Sequence, residues 1–232
     1  MKKIIEKLNS EINNIIRFFL VMFAIFFTIC PTTFASELSD IKLGDVVSFG
    51  RYEFNDSVVD WEWDVIDIKD DKALLFSKYI IDCLPYSEIK EYLNAICKNN
   101  FTSDEIDRIV KVYNGEPVDD YENKQKMGHI LDYMFVPYEK YITQYLYDEN
   151  NNIKNDVVYG LGTKYAYEKG LNAIYRDEKN DIFSSAYWLA DQGYTQSFNK
   201  AVSYNGNIID DGYYWKRFDI GVRPMIKVKI HR

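Results

Sequence analysis

Histidine is the scarcest of the residue types that carry covalent or metal chemistry in this chain: His129 and His231 are the only two. A multi-histidine metal site is excluded on that count. Nothing around His129 supplies the nucleophile and base pairing, or the strained elbow, that acyl transfer needs. Carboxylates are plentiful by comparison, with 36 Asp and Glu. Glycoside hydrolysis needs two of them at a set separation, one with a raised pKa. Glu62 and Asp64 share a strand face, but it is the face opposite Trp61 and Trp63, where a solvated edge is expected. Asp148-x-Asn150-x-Asn152 opens like a calcium loop, yet Ile153 stands where the turn requires Gly and Tyr159 where the bidentate Glu belongs. Glu116-Pro117-Val118 approaches a sugar-binding calcium triplet, but Val118 has no oxygen to give. Asp210, Asp211 and Asp219 remain either as a nonstandard calcium site or as solvated carboxylates. No cofactor, metal or catalytic residue is assigned.

Non-covalent recognition is better served. The chain holds 20 tyrosines, and a tyrosine joins a rigid apolar face to a polar tip. Tyr204, Tyr213, Tyr214 and Trp215 lie beside the turn-forming stretches Asn205-Gly206-Asn207 and Asp210-Asp211-Gly212, which place them on loops. Arg223 precedes Pro224 in an extended stretch. It either binds a ligand carboxylate or pairs internally with an Asp at the core edge. These five residues are the candidate ligand-binding set, for a glycan, a peptide or a protein. The alternative for the rings is packing beneath their own loops.

Elements to position such a set must come from the rest of the chain. At 232 residues, with 47% hydrophobic and 28% charged residues, it is long enough for one sizeable core. The first 35 residues begin basic, run from Phe18 to Cys30 without a charge, and end on Pro31-Thr32-Thr33-Phe34-Ala35. That apolar run is 13 residues, short of the roughly 20 that span a bilayer. It fits the hydrophobic region of a signal peptide cleaved after Ala35, with an uncleaved signal-anchor, and membrane attachment through it alone, as the alternative. The expected domain is therefore residues 36–232, secreted or held at the extracellular cell surface. Four basic and two acidic residues precede Ser36, so the remainder carries −10 of the total −8. Such a domain repels a phosphate backbone, and nucleic acid is excluded as a partner. Cys83 and Cys97 are the cysteines left in that domain. They either form a disulfide or sit apart as small buried hydrophobes.

Alternation over 46–52 and 61–68, followed by 72–78 across a polar turn, predicts a three-strand antiparallel meander. Ile89, Leu93, Ile96 and Cys97 form a helical stripe. Thr102-Ser103-Asp104-Glu105 is a capping box opening a second helix. Pro137 fits the first turn of a helix through Tyr145, after a short strand at Ile130–Val136, and Thr163–Gly170 reads as a short helix closed by its glycine. Residues 175–182 read as a charged loop. Core strands are expected from Phe183 and again through Gly221 to Ile230, in a single α+β domain with antiparallel strands and two to four helices.

Several of these pieces occur together and in order. Gly44-Asp45-Val46-Val47-Ser48-Phe49-Gly50-Arg51-Tyr52, Trp63 with Val65, Ala73 to Tyr79, Tyr92-Leu93-Asn94, Thr163-Lys164-Tyr165-Ala166, Tyr187-Trp188-Leu189 and Gly221-Val222-Arg223-Pro224 resemble the bacterial domain of unknown function 6273. The likeness runs from about Ile41 to Ile230, and the family occurs in exported or surface proteins. It implies a C-type-lectin-like fold akin to the formylglycine-generating enzyme. That enzyme's chemistry is not carried over, because it uses a late cysteine pair and no cysteine follows Cys97. Where the family usually continues Trp-Leu with Arg and Ser, this chain has Ala190-Asp191-Gln192-Gly193. The expected function is a non-enzymatic binding module. The alternatives are a carboxylate-dependent glycan-active enzyme of the cell envelope and a structural envelope interaction domain.

Overall fold

Trp61, Trp63 and Val65 stand two residues apart in an extended segment and so turn to one side of it. The two indoles stack at 4.7 Å, and Phe101 stacks on Trp61 at 5.8 Å. The protein is seen in a computed structural model that describes residues 38–54, 57–117, 132–177 and 182–230. Ser36–Arg232 forms one compact unit.

The chain begins with strands β1 (Val46–Phe54), β2 (Ser57–Lys69), β3 (Lys72–Ser77) and β4 (Asp82–Cys83). Helices α1 (Tyr86–Asn100) and α2 (Ser103–Arg108) follow, then the small hairpin β5 (Val112–Tyr113) and β6 (Glu116–Pro117). Next come β7 (Met134–Phe135), the single turn α3 (Glu139–Tyr141), β8 (Leu161–Gly162) and α4 (Lys164–Lys169). The remainder is β9 (Tyr175–Asp177), β10 (Ile182–Ser184), β11 (Tyr187–Gln192), β12 (Phe198–Val202), β13 (Ile208–Tyr214), β14 (Gly221–Val222) and β15 (Met225–Lys229). This is an α+β arrangement with mostly antiparallel sheets and four α-helical segments among the described residues.

The largest sheet has the order β1-β2-β3-β15-β7, so the expected meander forms and the late strand β15 closes it. A second five-stranded sheet runs β13-β12-β11-β14-β4, with one parallel contact, at Tyr187 and Gly221. The central strands β3, β15 and β11 are covered on both faces. Ala73 and Leu75 enter one apolar cluster with Trp63 and Trp188, while Leu74 and Phe76 enter a second with Tyr187 and Leu189. That explains why β3 is a continuous apolar run instead of an alternating one.

Local signals hold where they are self-contained. The Thr102 hydroxyl accepts from Glu105 N–H at 3.3 Å and the Glu105 carboxylate accepts from Thr102 N–H at 2.8 Å, which completes the capping box. Gly170 ends α4 at φ 115°, a left-handed conformation that glycine adopts without a Cβ penalty.

Four expectations are corrected. Pro137 precedes the N-cap Tyr138 and does not sit in the first turn, and the α-helix stops at Tyr141 to continue as a π turn over Ile142–Leu146. Thr143 Oγ1 donates to Glu139 O at 3.1 Å, and this side-chain bond competes with the backbone ladder. Residues 175–177 pair with β10 as an edge strand, so that part of the charged segment is not a loop. The expected strand at 130–136 is seen as Met134–Phe135, and Ile130 and Leu131 lie outside the described residues. Cys83 and Cys97 are both free and buried, in different apolar clusters, which decides for buried hydrophobes over a disulfide. Burial pushes the two thiols up to about 12 and about 11. The leader and its cleavage site, His129 and His231 lie outside the described residues.

Beside Cys83, the buried Asp82 carboxylate accepts the Cys83 N–H at 2.8 Å and hydrogen-bonds the Tyr92 phenol. Burial raises the Asp82 pKa against these bonds. A carboxyl raised in the folded state adds stability that is complete below its unfolded value of about 4 and is lost as pH rises through the folded value. Asp82→Asn removes that titration. Its urea midpoint is expected to fall less than wild type's between about pH 4 and neutrality; equal slopes would show that Asp82 does not carry the effect.

Candidate ligand-binding groove

The groove starts from an uncapped helix end. Pro85 offers α1 no side-chain cap, and the first-turn N–H groups of a helix need acceptors from elsewhere. Tyr86 N–H finds one in the Trp215 carbonyl at 2.7 Å, while Trp215 N–H donates to Ser197 O at 3.0 Å. The exit of β13 is thereby fixed against the start of α1. Gly212, at φ 71°, permits the irregular pairing that precedes it. A Cβ there would lie 2.2 Å from the backbone oxygen of Asn199.

Between the first turns of α1, β7 and the β11–β12 hairpin lies a groove of about 490 Å³, within the range of about 300–1,000 Å³ typical of small-ligand sites. Ile89, Leu93, Met134, Val136 and Ala190 make its aliphatic lining; Tyr86, Phe135, Tyr138 and Trp215 add rings; Asn114, Gln192, Gln196 and Asn199 add amides. Its charged lining residues are Lys90 and Asp132. Lys90 Nζ donates to Asp132 Oδ2 at 3.2 Å and stands 2.9 Å from Oδ1. Oδ1 is buried and, among the described residues, accepts no hydrogen bond despite that proximity. Asn199 donates from Nδ2 to Asp191 O at 3.4 Å.

The two phenols stay protonated at neutral pH. Burial pushes Tyr86 up to about 12, helped by Tyr138, and pushes Tyr138 up to about 12, helped by Asp132. Tyr86 spends its proton on Ala190 O at 3.3 Å. The groove is therefore equipped to hold a ligand by flat apolar faces and by uncharged donors and acceptors.

No family model matches the chain, and neither a curated protein nor a solved structure matches it.

Of the five candidate binding residues, Trp215 lines the groove. Tyr213 is half-buried beside it, edge-on to Trp188 at 6.3 Å and capped by the Arg217 guanidinium at 4.6 Å. Tyr214 turns to the other face and packs on Phe198 at 6.0 Å. Tyr204 is 43% exposed but sits in the turn before β13, about 20 Å from Trp215 by strand rise. Arg223 is 1% exposed, and its ligand-binding role is corrected. Nε donates to Ser77 O at 2.7 Å, Nη1 to Val157 O and Tyr159 O at 2.6 and 3.1 Å, and Nη2 to Lys78 O at 3.3 Å. Asp64 Oδ2 lies 3.6 Å away. The expected solvated edge at Asp64 is likewise corrected, because the second cluster covers that face and burial raises its carboxyl. Glu62, by contrast, pairs with Lys78 at 3.0 Å at the surface.

Asp210 and Asp219 are engaged by Lys200 and Arg217, each at 2.6 Å. Asp148 accepts the Asn150 and Asn152 N–H groups, each at 2.8 Å, as a polar turn. Among the described residues no group of three or more His, Cys, Asp or Glu is placed to hold a metal ion. Tyr86 and Tyr138 were missed as groove residues. A signal existed in Leu84-Pro85-Tyr86-Ser87-Glu88 and Val136-Pro137-Tyr138-Glu139, where a Pro-Tyr pair twice precedes or opens a helix.

Proposed function

We propose that residues 36–232 are a secreted or cell-surface binding module, non-enzymatic, that recognises a glycan, peptide or protein segment in the groove beside Trp215. The resemblance to the domain of unknown function 6273, with its C-type-lectin-like fold, supports the same reading, as does the basic and apolar leader. The observation that carries it is the convergence of four rings and four amides on one 490 Å³ concavity from five separate segments of chain. Aromatic side chains in such positions supply most of the affinity at recognition sites.

Retention of the intact protein on arrayed bacterial and host glycans and peptides tests this. Trp215→Ala is expected to weaken binding tenfold or more, in line with the roughly 2 kcal/mol of an aromatic anchor. Tyr204→Ala, at the far end of β13, should leave it unchanged. Equal loss in both variants, or turnover of a retained glycan, would overturn the assignment.

A further inference from the structure

We infer that the groove takes a neutral oligosaccharide; this rests on its being the binding site. Three observations select that class over a peptide or a charged ligand. Charge is the first. Lys90 and Asp132 are the charged lining residues and they already face each other at 2.9 Å, so an ionic ligand gains no uncompensated counter-charge.

The second is the buried Asp132 Oδ1, which stands 2.9 Å from the Lys90 ammonium yet accepts no hydrogen bond among the described residues. The ion pair offsets its charge but leaves its acceptor capacity open, and a buried acceptor left open is costly. A ligand hydroxyl satisfies it by donating one bond without adding charge, which an ammonium group does not do. Elsewhere on the groove's lining, the side chains of Gln192 and Gln196 and the Oδ1 of Asn199 have no hydrogen-bond partner among the described residues. They offer both donors and acceptors, as a ring of vicinal hydroxyls requires. Trp215 adds a flat apolar face for the C–H side of a pyranose.

Backbone is the third. A peptide held as an added strand needs an open sheet edge. Here the β11 edge is closed, because Ala190 N–H donates to Pro137 O at 2.8 Å and Ala190 O accepts from the Tyr86 phenol at 3.3 Å. The other strand at the groove, β7, is two residues long.

The test is a titration of the isotope-labelled full chain followed by amide and indole NMR, with the Trp215 indole signal assigned from Trp215→Phe. The probes are cellotetraose, maltotetraose, mannotetraose and chitotetraose, beside tetragalacturonate and an end-capped neutral hexapeptide. At least one neutral tetraose is expected to shift the Trp215 indole and the Gln192 and Asn199 side-chain amides to saturation, with an affinity unchanged by added salt. Asp132→Ala should weaken that affinity at least tenfold, and Asp132→Asn, which keeps an acceptor, should largely restore it. If the hexapeptide or tetragalacturonate alone moves these signals, the saccharide class is overturned while the groove stands. If no probe moves them, or shifts lie only away from the groove, both readings fall.

Discussion

Arg223→Ala will cost about 3–5 kcal/mol of stability, the range seen when one partner of a buried charged group is deleted. The guanidinium has a specific duty here. It is the donor for four main-chain carbonyls, at Ser77, Lys78, Val157 and Tyr159, and it lies 3.9 Å over the Phe76 ring. Alanine leaves those oxygens without their donor and opens a cavity between two sheets. Asp64 contributes less. Its carboxylate stands at 3.6 Å and burial already disfavours its ionised form. Asp64→Asn should therefore change stability by less than about 1 kcal/mol, in the manner of a weak or partly compensated pair. Lysine at 223 keeps the charge but loses the planar fork, and an intermediate loss is expected. Urea denaturation of the three variants decides the matter. Equal losses in Arg223→Ala and Asp64→Asn would mean that the ion pair, and not the carbonyl cage, holds this junction.

Trp188→Ala should cost a comparable 3–5 kcal/mol, as large aromatic truncations in cores do. Trp188 is fully buried, and its indole N–H donates to Leu84 O at 2.9 Å. Tyr86 and Tyr213 both meet it edge-on, at 5.8 and 6.3 Å. Losing the ring thus removes packing from beneath the segment that carries Trp215 and from beside the first turn of α1. Trp188→Phe retains most of that contact and gives up one hydrogen bond, so about 1–2 kcal/mol is expected. Thermal unfolding ranks the two. The same proteins should differ in ligand affinity, with Trp188→Ala losing most of it even at temperatures where it remains folded. Unchanged affinity in folded Trp188→Ala would show that the groove does not depend on this support.

The parts of the fold that could be read from sequence are those whose cause is local. The β1–β3 meander follows from alternation in β2 and from the turn at Asp70, whose φ is 56°. The capping box at Thr102 and the stop at Gly170 each involve neighbours a few residues apart. What alternation cannot reveal is a second core on the far side of the same sheet. Asp64 and Glu62 look equivalent in sequence, yet one faces Arg223 and the other solvent-side Lys78. The groove was harder still, because its rings come from Tyr86, Phe135, Tyr138 and Trp215, which only the tertiary fold brings together. Of the aromatic residues singled out after Leu189, Trp215 lines the groove and Tyr204, Tyr213 and Tyr214 do not, and along β13 successive residues face opposite ways. Tyr213 packs inward on Trp188 and Tyr214 outward on Phe198 for that reason.

The position of β15 also governs when this protein can fold. Its residues Met225–Lys229 lie between β3 and β7 and put Met225 in one apolar cluster and Ile226 and Val228 in the other. Until residues 225–229 have left the ribosome, β3 keeps an unpaired hydrophobic edge, the feature that templates association with other chains. Its pairing closes a loop of well over a hundred residues, which slows the search for it. The core formed by residues 38–230 therefore cannot be completed before residues 225–229 are available to pair with β3 and β7.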